Sequence, residues 1–589
     1  MLNWKVWKKL FPIVHPFRWT MVLIILLNLV LAAIDIAFPL FQRYAVDTFI
    51  TTSNIQGLWP FVALYAGFIL VQGVAVIFFI RLSVVVEMKL GRELKRRAFR
   101  HLQEVSLTYY GKNAVGYILA RVMSDTGRIA GMISWGTVDL IWALTYVLGV
   151  LGVMLTLDWK LALLVMVVVP VVLLITAAFQ GKIITTNRLV RSINSRITGA
   201  FNEGITGVKT IKSLVIEEQS GGDFKGLSTE MYKSSIAATR LSAIFVPIIL
   251  FLGSVVTAMV LTSGGYMVMG DLMQLGTLSA FIAYALGILE PVQQIASIFG
   301  DVIATQVNVE RVMSVIEEPC DITDSTSVVA KYGDCFDPKR ENWEPITGEI
   351  EFKDVSFRYP GTEDYILEHF NLKIPAGTTV AIVGRTGAGK STLVNLVCRF
   401  YEPTAGQILI DGVDYRERSQ LWLHSQIGYV LQDPHLFSGT IRENLRYGRL
   451  DSTDEQLDAV AQLVSLNHVA AKLENGLDTN VGEGGSRLSS GERQLVSFAR
   501  AIVGSPPIFV LDEATSSIDT ETEQLIQRAI TNILDGRTSF IIAHRLSTIQ
   551  HADLILVIES GKIIESGSHA QLLEQQGVYY ELCKLNNSR

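Results

Sequence analysis

A chain of 589 residues that is 49% hydrophobic and only 18% charged is too long for one domain and too apolar to lie wholly in water, so a membrane region beside a soluble one is expected. Its formal net charge of −6 gives no overall basic field and sets aside a protein built to coat nucleic acid. The four cysteines, Cys320, Cys335, Cys398 and Cys583, lack metal-ligand spacing and fall in the part read below as cytosolic, where a reducing medium disfavours disulfides.

Residues 4–19 interleave Trp4, Trp7, Phe11, Phe17 and Trp19 with Lys5, Lys8, Lys9 and Arg18, the composition of a short helix lying along a membrane surface. This basic cluster leads into a full-length apolar run without a small-residue cleavage site, so no cleavable signal peptide is expected. Six apolar windows follow, near residues 20–41, 58–80, 135–157, 161–179, 241–269 and 275–303, each approaching or exceeding what crosses about 30 Å of hydrocarbon. Lys5, Lys8 and Lys9 precede the first window; Lys89, Arg92, Lys95, Arg96, Arg97 and Arg100 follow the second; Lys182, Arg188, Arg191, Arg196, Lys209 and Lys212 follow the fourth. The remaining connections carry almost no basic residues, so the positive-inside rule puts both termini and the two long connections, 81–134 and 180–240, in the cytosol. Those connections are polar, helix-patterned and free of proline, and read as helices that continue into the cytosol and return. Asp35 and Glu290 are the deepest charges within the windows, with Asp139 and Asp301 nearer the ends. A charge at that depth either faces a cavity or serves a structural hydrogen bond, so Asp35 and Glu290 are candidates for a substrate path, and Glu290 on that path would favour cationic amphipathic cargo.

Residues 317–347 are polar, carry Asp, Ser, Pro and Gly without periodicity, and read as a linker. From Gly348 the pattern becomes mixed α/β. Tyr359 closes a strand-like run from 350 and can stack on a base. The strand-like 379–383 then runs into Gly384-Arg385-Thr386-Gly387-Ala388-Gly389-Lys390-Ser391, followed by a helix-like 392–400, the strand–loop–helix context of a phosphate cradle. Its glycines let backbone N–H groups converge on an anion at a helix N-terminus, Lys390 reaches the outer phosphates, and Ser391 offers a hydroxyl to Mg²⁺. Further on, Ile508-Phe509-Val510-Leu511 delivers Asp512 and Glu513 as a buried parallel strand would, Asp512 to hold Mg²⁺ through water and Glu513 to polarise the attacking water. His544, after the strand-like 538–543, can donate to a γ-phosphate. Between the phosphate loop and His544, Leu488-Ser489-Ser490-Gly491-Glu492 precedes a helix and makes a second small-residue anion site. Two phosphate-binding faces so far apart in one chain suggest sites completed by a second copy.

This series resembles the ATP-binding cassette family, specifically exporters of the type IV, multidrug and lipid kind that fuse six membrane helices to one nucleotide-binding domain in a half-transporter. The resemblance covers essentially the whole chain and implies an α-helical six-span transmembrane domain (1–316, with the interfacial helix), a linker (317–347) and an α/β P-loop nucleotide-binding domain with a helical subdomain (348–589). In the family's terms Tyr359 is similar to the adenine-stacking aromatic, Gly384 to Thr392 to Walker A, and Gln432 to the Q-loop residue that meets Mg²⁺ and senses the membrane domain. Residues 481–485 resemble the exporter X-loop, Leu488 to Glu492 the signature, 508–513 Walker B with Glu513 its catalytic glutamate, and 516–519 the D-loop, with Asp519 its acid; His544 is similar to the switch histidine. Residues 116–121 and 207–212 look like the coupling-helix regions. The resemblance implies ATP and Mg²⁺, a lipid bilayer, a partner half-transporter, and ATP-driven export of hydrophobic or amphipathic drugs, lipids or peptides, with the cytoplasmic membrane of a bacterium as its setting. One departure stands out: the family's usual L-S-G-G-Q reads Leu488-Ser489-Ser490-Gly491-Glu492 here. Ser490 adds a Cβ where backbone approaches phosphate, and Glu492 sets a carboxylate near a polyanion. With Lys390, Gln432, Asp512, Glu513 and His544 intact, that pattern favours a heterodimer over a homodimer. An ATP-gated channel or regulatory half with little turnover is the alternative from another class.

Overall fold

The computed structural model describes residues 3–53, 55–512, 520–542 and 546–587. Packing divides them into two compact units: the chain as far as Glu318 without Glu104–Lys112, and Glu104–Lys112 together with the chain from Pro319 on.

The first unit is helical. After α1 (Trp4–Val14), α2 (Arg18–Ala45) and α3 (Leu58–Glu104) come α4 (Leu107–Lys112), which belongs to the second unit, and then α5 (Val115–Ala120), α6 (Thr126–Gly131) and α7 (Thr137–Leu157). The last three are joined by wider π turns into one rod, Val115–Leu157. α8 (Trp159–Thr206), α9 (Val208–Leu214), α10 (Glu217–Met269), α11 (Leu275–Gly287) and α12 (Leu289–Ile316) complete the unit. Among the described residues six helical stretches are long and apolar enough to cross a membrane, as the hydropathy windows require. With 48 and 53 residues, α8 and α10 reach roughly 70–80 Å at 1.5 Å per residue, more than twice a bilayer's hydrocarbon. Asp158 starts α8 by accepting from the N–H groups of Lys160 and Leu161 (2.9 and 3.0 Å).

The window at 275–303 is not one helix. It breaks at Ile288, because Pro291 has no N–H to offer the carbonyl four residues back and its ring crowds that carbonyl. α1 does more than lie on a surface: Val6, Leu10 and Ile13 are buried in a cluster with Leu90, Leu94, Ile129 and Val312.

The second unit holds two sheets. β1 (Ile350–Phe357), β2 (Leu367–Ile374), β4 (Ala405–Ile410) and β5 (Val413–Asp414) form an antiparallel sheet in the order β2-β1-β4-β5. β3 (Thr379–Val383), β6 (Ile427–Val430), β7 (Ile508–Asp512), β8 (Thr538–Ile542), β9 (Leu554–Glu559) and β10 (Lys562–Gly567) form the other, in the order β10-β9-β3-β8-β7-β6. Pairing is parallel from β9 to β6, and β3 and β8 are buried along their whole length, which is why they read as unbroken apolar runs rather than alternating ones. The helix after the phosphate loop, α14 (Lys390–Val397), buries Leu393, Val394, Leu396 and Val397 in the core shared by the two sheets. Between β6 and β7 lies a helical stretch: α16 (Ile441–Arg446), α17 (Asp454–Leu463), α18 (Leu466–Ala470) and α19 (Ser490–Ile502).

The stretch read as a linker is packed. α13 (Thr326–Tyr332) buries Val328 and Tyr332 in that same core, and Trp422, on α15 (Gln420–Ser425), donates its Nε1–H to the Glu344 carbonyl at 2.8 Å. Asp324 meets the guanidinium of Arg399, itself only 1% exposed, at 2.8 Å. Its polar, aperiodic composition hides this because the contacts are tertiary and few residues make them.

Candidate functional site

β3 ends at Val383, and the chain turns at Gly384, whose φ of +154° and closeness to the Ile558 carbonyl leave no space for a Cβ. Gly389, at φ +103°, stands at the N-cap position of α14 without a side chain to bond its first N–H groups, so those donors stay open to a ligand. Lys390 Nζ bends back over the loop and donates to the carbonyls of Gly384 (2.8 Å) and Arg385 (3.0 Å), leaving one N–H for a phosphate oxygen. Burial pulls this amine below the ordinary lysine range, and the Asp512 carboxylate works against that.

Sheet register gathers the rest. Ile542 pairs with Ile382 on one side and Asp512 on the other, and Leu511 pairs with Val430, so the carboxyl ends of β3, β8, β7 and β6 come out along one edge. At that edge a cavity of about 470 Å³ is lined by Thr386, Gly387, Gly389, Lys390, Ser391 and Thr392, by Gln432 just beyond β6, by Asp512, and by Tyr359. Ile366 and Ile542 line it too, and sequence alone does not mark them as site residues: each is an ordinary apolar residue until the sheets are assembled. Tyr359 meets Phe357 and Tyr401 edge to face at 5.0 and 5.1 Å, and its hydroxyl is 3.0 Å from Thr392 Oγ1. Oxygen donors on Ser391, Gln432 and Asp512 in a single cavity fit a hard divalent cation such as Mg²⁺.

Glu513, Asp519 and His544 lie outside the described residues; Glu513 directly follows the end of β7 in sequence, and His544 comes two residues after the end of β8.

The second small-residue turn is built differently. Ser489 is the N-cap of α19: its Oγ accepts from the Glu492 N–H (3.3 Å), while Glu492 Oε2 accepts from the Ser489 N–H (2.7 Å). This is a reciprocal capping box, and the Ser-x-x-Glu spacing announces it in the sequence. The Glu492 carboxylate is therefore turned back onto its own helix end. Leu488 and Gly491 are buried beneath, Arg493 donates to the Leu488 carbonyl at 2.8 Å, and among the described residues none of Leu488 to Glu492 lines the phosphate cavity.

In the helical unit, Asp35 accepts from Gln72 Nε2 (2.8 Å) and Trp142 Nε1 (3.1 Å), tying α2 to α3 and α7. Glu290 is exposed at the start of α12. Of the two regions read as coupling helices, 207–212 falls largely on α9, whereas 116–121 falls on α5 and the turn after it; the part of that connection packed into the second unit is Glu104–Lys112, a few residues earlier.

Two family models match the chain: the ABC transporter transmembrane region over residues 21–292 and the ABC transporter over residues 367–516. The chain is 34% identical over 588 residues to the uncharacterized ABC transporter ATP-binding protein YknV of Bacillus subtilis (strain 168), covering 100% of this chain and 95% of that protein. It is 32% identical to an ATP-dependent lipid A-core flippase of Syntrophus aciditrophicus (strain SB), over 98% of this chain and 94% of the flippase. Among solved structures it is similar to a bacterial Atm1-family ABC exporter with ATP bound, with a TM-score of 0.79, 25% identity, and coverage of 96% and 98% of the two chains.

Proposed function

The chain belongs to the ABC transporter family and is a half-transporter of the exporter type, and from that premise we propose that it hydrolyses ATP to ADP and phosphate to move hydrophobic or amphipathic molecules across a bacterial cytoplasmic membrane as a dimer. The observation that carries this is the cavity in which Lys390 and Ser391 at the start of α14, Gln432 just beyond β6 and Asp512 at the end of β7 meet beside Tyr359. We assign residues 1–316 to the transmembrane domain, 317–347 to the connection and 348–589 to the nucleotide-binding domain, with the last in the cytosol on the strength of the basic connections.

In this reading the adenine lies on Tyr359 and the phosphates lie over the Gly384–Ser391 loop, where Lys390 and the first N–H groups of α14 hold their charge. Ser391, Gln432 and, through water, Asp512 would hold Mg²⁺, which when bound neutralises charge on the transferred phosphoryl group. Glu513 orients and polarises the attacking water, and His544 donates to the γ-phosphate. The signature turn, Leu488 to Glu492, faces the nucleotide of the partner chain, and Asp519 belongs to the same interface. Sequence departures at Ser490 and Glu492 favour a partner of different sequence. The capping box lessens their weight, since a carboxylate engaged on Ser489 is not aimed at a phosphate, and two identical chains then serve as well. Native mass spectrometry of the purified complex decides between them.

For cargo, the neutral donors that occupy both oxygens of Asp35 support an inter-helix tie there, which leaves Glu290 as the stronger candidate on a substrate path and cationic amphipaths as the cargo class it favours. The test is Glu513→Gln in reconstituted protein. We expect ATP to bind as before while turnover by the site that uses Glu513 falls at least ~100-fold, the worth of a general base, and ATP-dependent uptake of a cationic dye into inverted vesicles falls with it. Unchanged phosphate release from the variant would remove Glu513 from the mechanism.

A further inference from the structure

Tyr359 begins a line of contacts that leads away from the phosphates. Its hydroxyl reaches Thr392 on the first turn of α14, and its ring meets Tyr401 at an interplanar angle of 90°. Tyr401 follows α14 by a few residues, and it lines one cavity with Thr108 of α4, the two hydroxyl-bearing side chains within hydrogen-bonding reach of each other. The start of the same segment is fixed a second time, where Ser106 Oγ donates to Asp321 at 3.2 Å. A cavity of about 550 Å³ lies against this line, bordered by Thr108, Asp321, Tyr359, Tyr401 and Glu402, so one side of the tyrosine pair is unpacked and the rings have room to turn. In the chain, α4 is the tip of the connection between the membrane-spanning rods Leu58–Glu104 and Val115–Leu157.

We propose that Tyr401 is a positioning residue that reports the presence of a nucleotide base on Tyr359 to α4, so that adenine, and not phosphate alone, orders the tip of the first connection. This rests on the reading of Tyr359 as the base platform. A base on the open face of Tyr359 fixes the plane of that ring, and an edge-to-face neighbour can then take few orientations. Tyr401 so restrained holds its hydroxyl where Thr108 meets it, and the α4 backbone opens less often. Phosphates by themselves fill the glycine loop and reach Thr392, yet they touch neither ring face. The route is separate from that of Gln432, which lies just beyond β6 and does not border the cavity beside Tyr401.

The experiment is hydrogen exchange read by mass spectrometry on full-length reconstituted protein, following the Glu104–Lys112 peptide with a non-hydrolysable ATP analogue or with inorganic tripolyphosphate, each at saturation. We expect the analogue to slow exchange there about fivefold, what one hydrogen bond is worth, and tripolyphosphate to leave it unchanged. Tyr401→Phe and Thr108→Val should each bind the analogue within about twofold of the parent and lose the slowing, and the double variant should be no worse than either, because both remove one contact. Equal protection by tripolyphosphate, or protection that survives both single variants, overturns the proposal. Tyr359→Ala separates the two readings: if it binds the analogue as tightly as the parent, the base platform itself is wrong and the relay falls with it.

Discussion

Two helix N-termini in the second unit carry small residues suited to anions, and they end in opposite ways. At α14 the capping position is Gly389, which has nothing to bond the first N–H groups, and Lys390 is held back on the loop's own carbonyls. At α19 the capping position is Ser489, and its side chain and that of Glu492 close the helix end by themselves. The first end is therefore built to wait for a ligand, while at the second the box already engages the N–H groups of Ser489 and Glu492, and what it can offer a phosphate is the Ser489 hydroxyl proton and the N–H groups the box does not use.

The comparison breaks first at Lys390. Lys390→Ala removes the cation of the open end, and ATP turnover measured by phosphate release should fall by at least about 100-fold, the scale of losing one electrostatic stabiliser at a reacting centre. Next comes Gly389→Ser, which would put a capping hydroxyl at a backbone with φ +103°. Strain and competition for the same N–H groups act together, and ATP affinity in equilibrium binding should drop by roughly tenfold, about 1.4 kcal/mol.

Smaller effects sharpen the other end. Glu492→Ala should destabilise the folded chain by about 1 kcal/mol in thermal unfolding through loss of half the box, whereas Glu492→Gln keeps an acceptor for the Ser489 N–H and should change ATP affinity less than about twofold. A several-fold gain in affinity for the glutamine variant would mean that the carboxylate faces the nucleotide after all.

The smallest effect concerns the far end of the open helix. His424 is hydrogen-bonded at 2.9 Å to the carbonyl of Cys398, the C-cap of α14, and burial lowers its pKa below the usual histidine value. The unfolded chain then takes up the proton first, so this contribution to stability is full above about pH 6.5 and is lost as pH falls from there through the lower folded pKa. Denaturant midpoints between pH 7.5 and 5.5 should show this slope, and His424→Gln should flatten it.

Much of this site is readable locally. Gly384 to Ser391 is legible because strand, glycines, lysine and helix follow one another without interruption, and Asp512 because four buried β-type residues precede it. The break at Ile288 is written in Pro291, and the capping box in Ser489-x-x-Glu492, although likeness to a family pattern draws attention to the charge of Glu492 rather than to its spacing from Ser489. Thr108 and Tyr401 carry no such mark. They stand almost 300 positions apart, each an unremarked polar residue, because no local pattern distinguishes the residues that pack on another element.

By itself, then, the order of residues determined six membrane spans, a phosphate loop, an acid-ending strand and the family that unites them, because hydropathy, periodicity and turn chemistry act over a few neighbouring residues. Tertiary structure decided that Asp35 is shared between Gln72 and Trp142, that Glu492 turns back on Ser489, and that Tyr401 stands between Tyr359 and Thr108 of α4. A hydrogen-bonding side chain has several partners within its reach, and the choice among them is made only when distant parts of the backbone have been brought together.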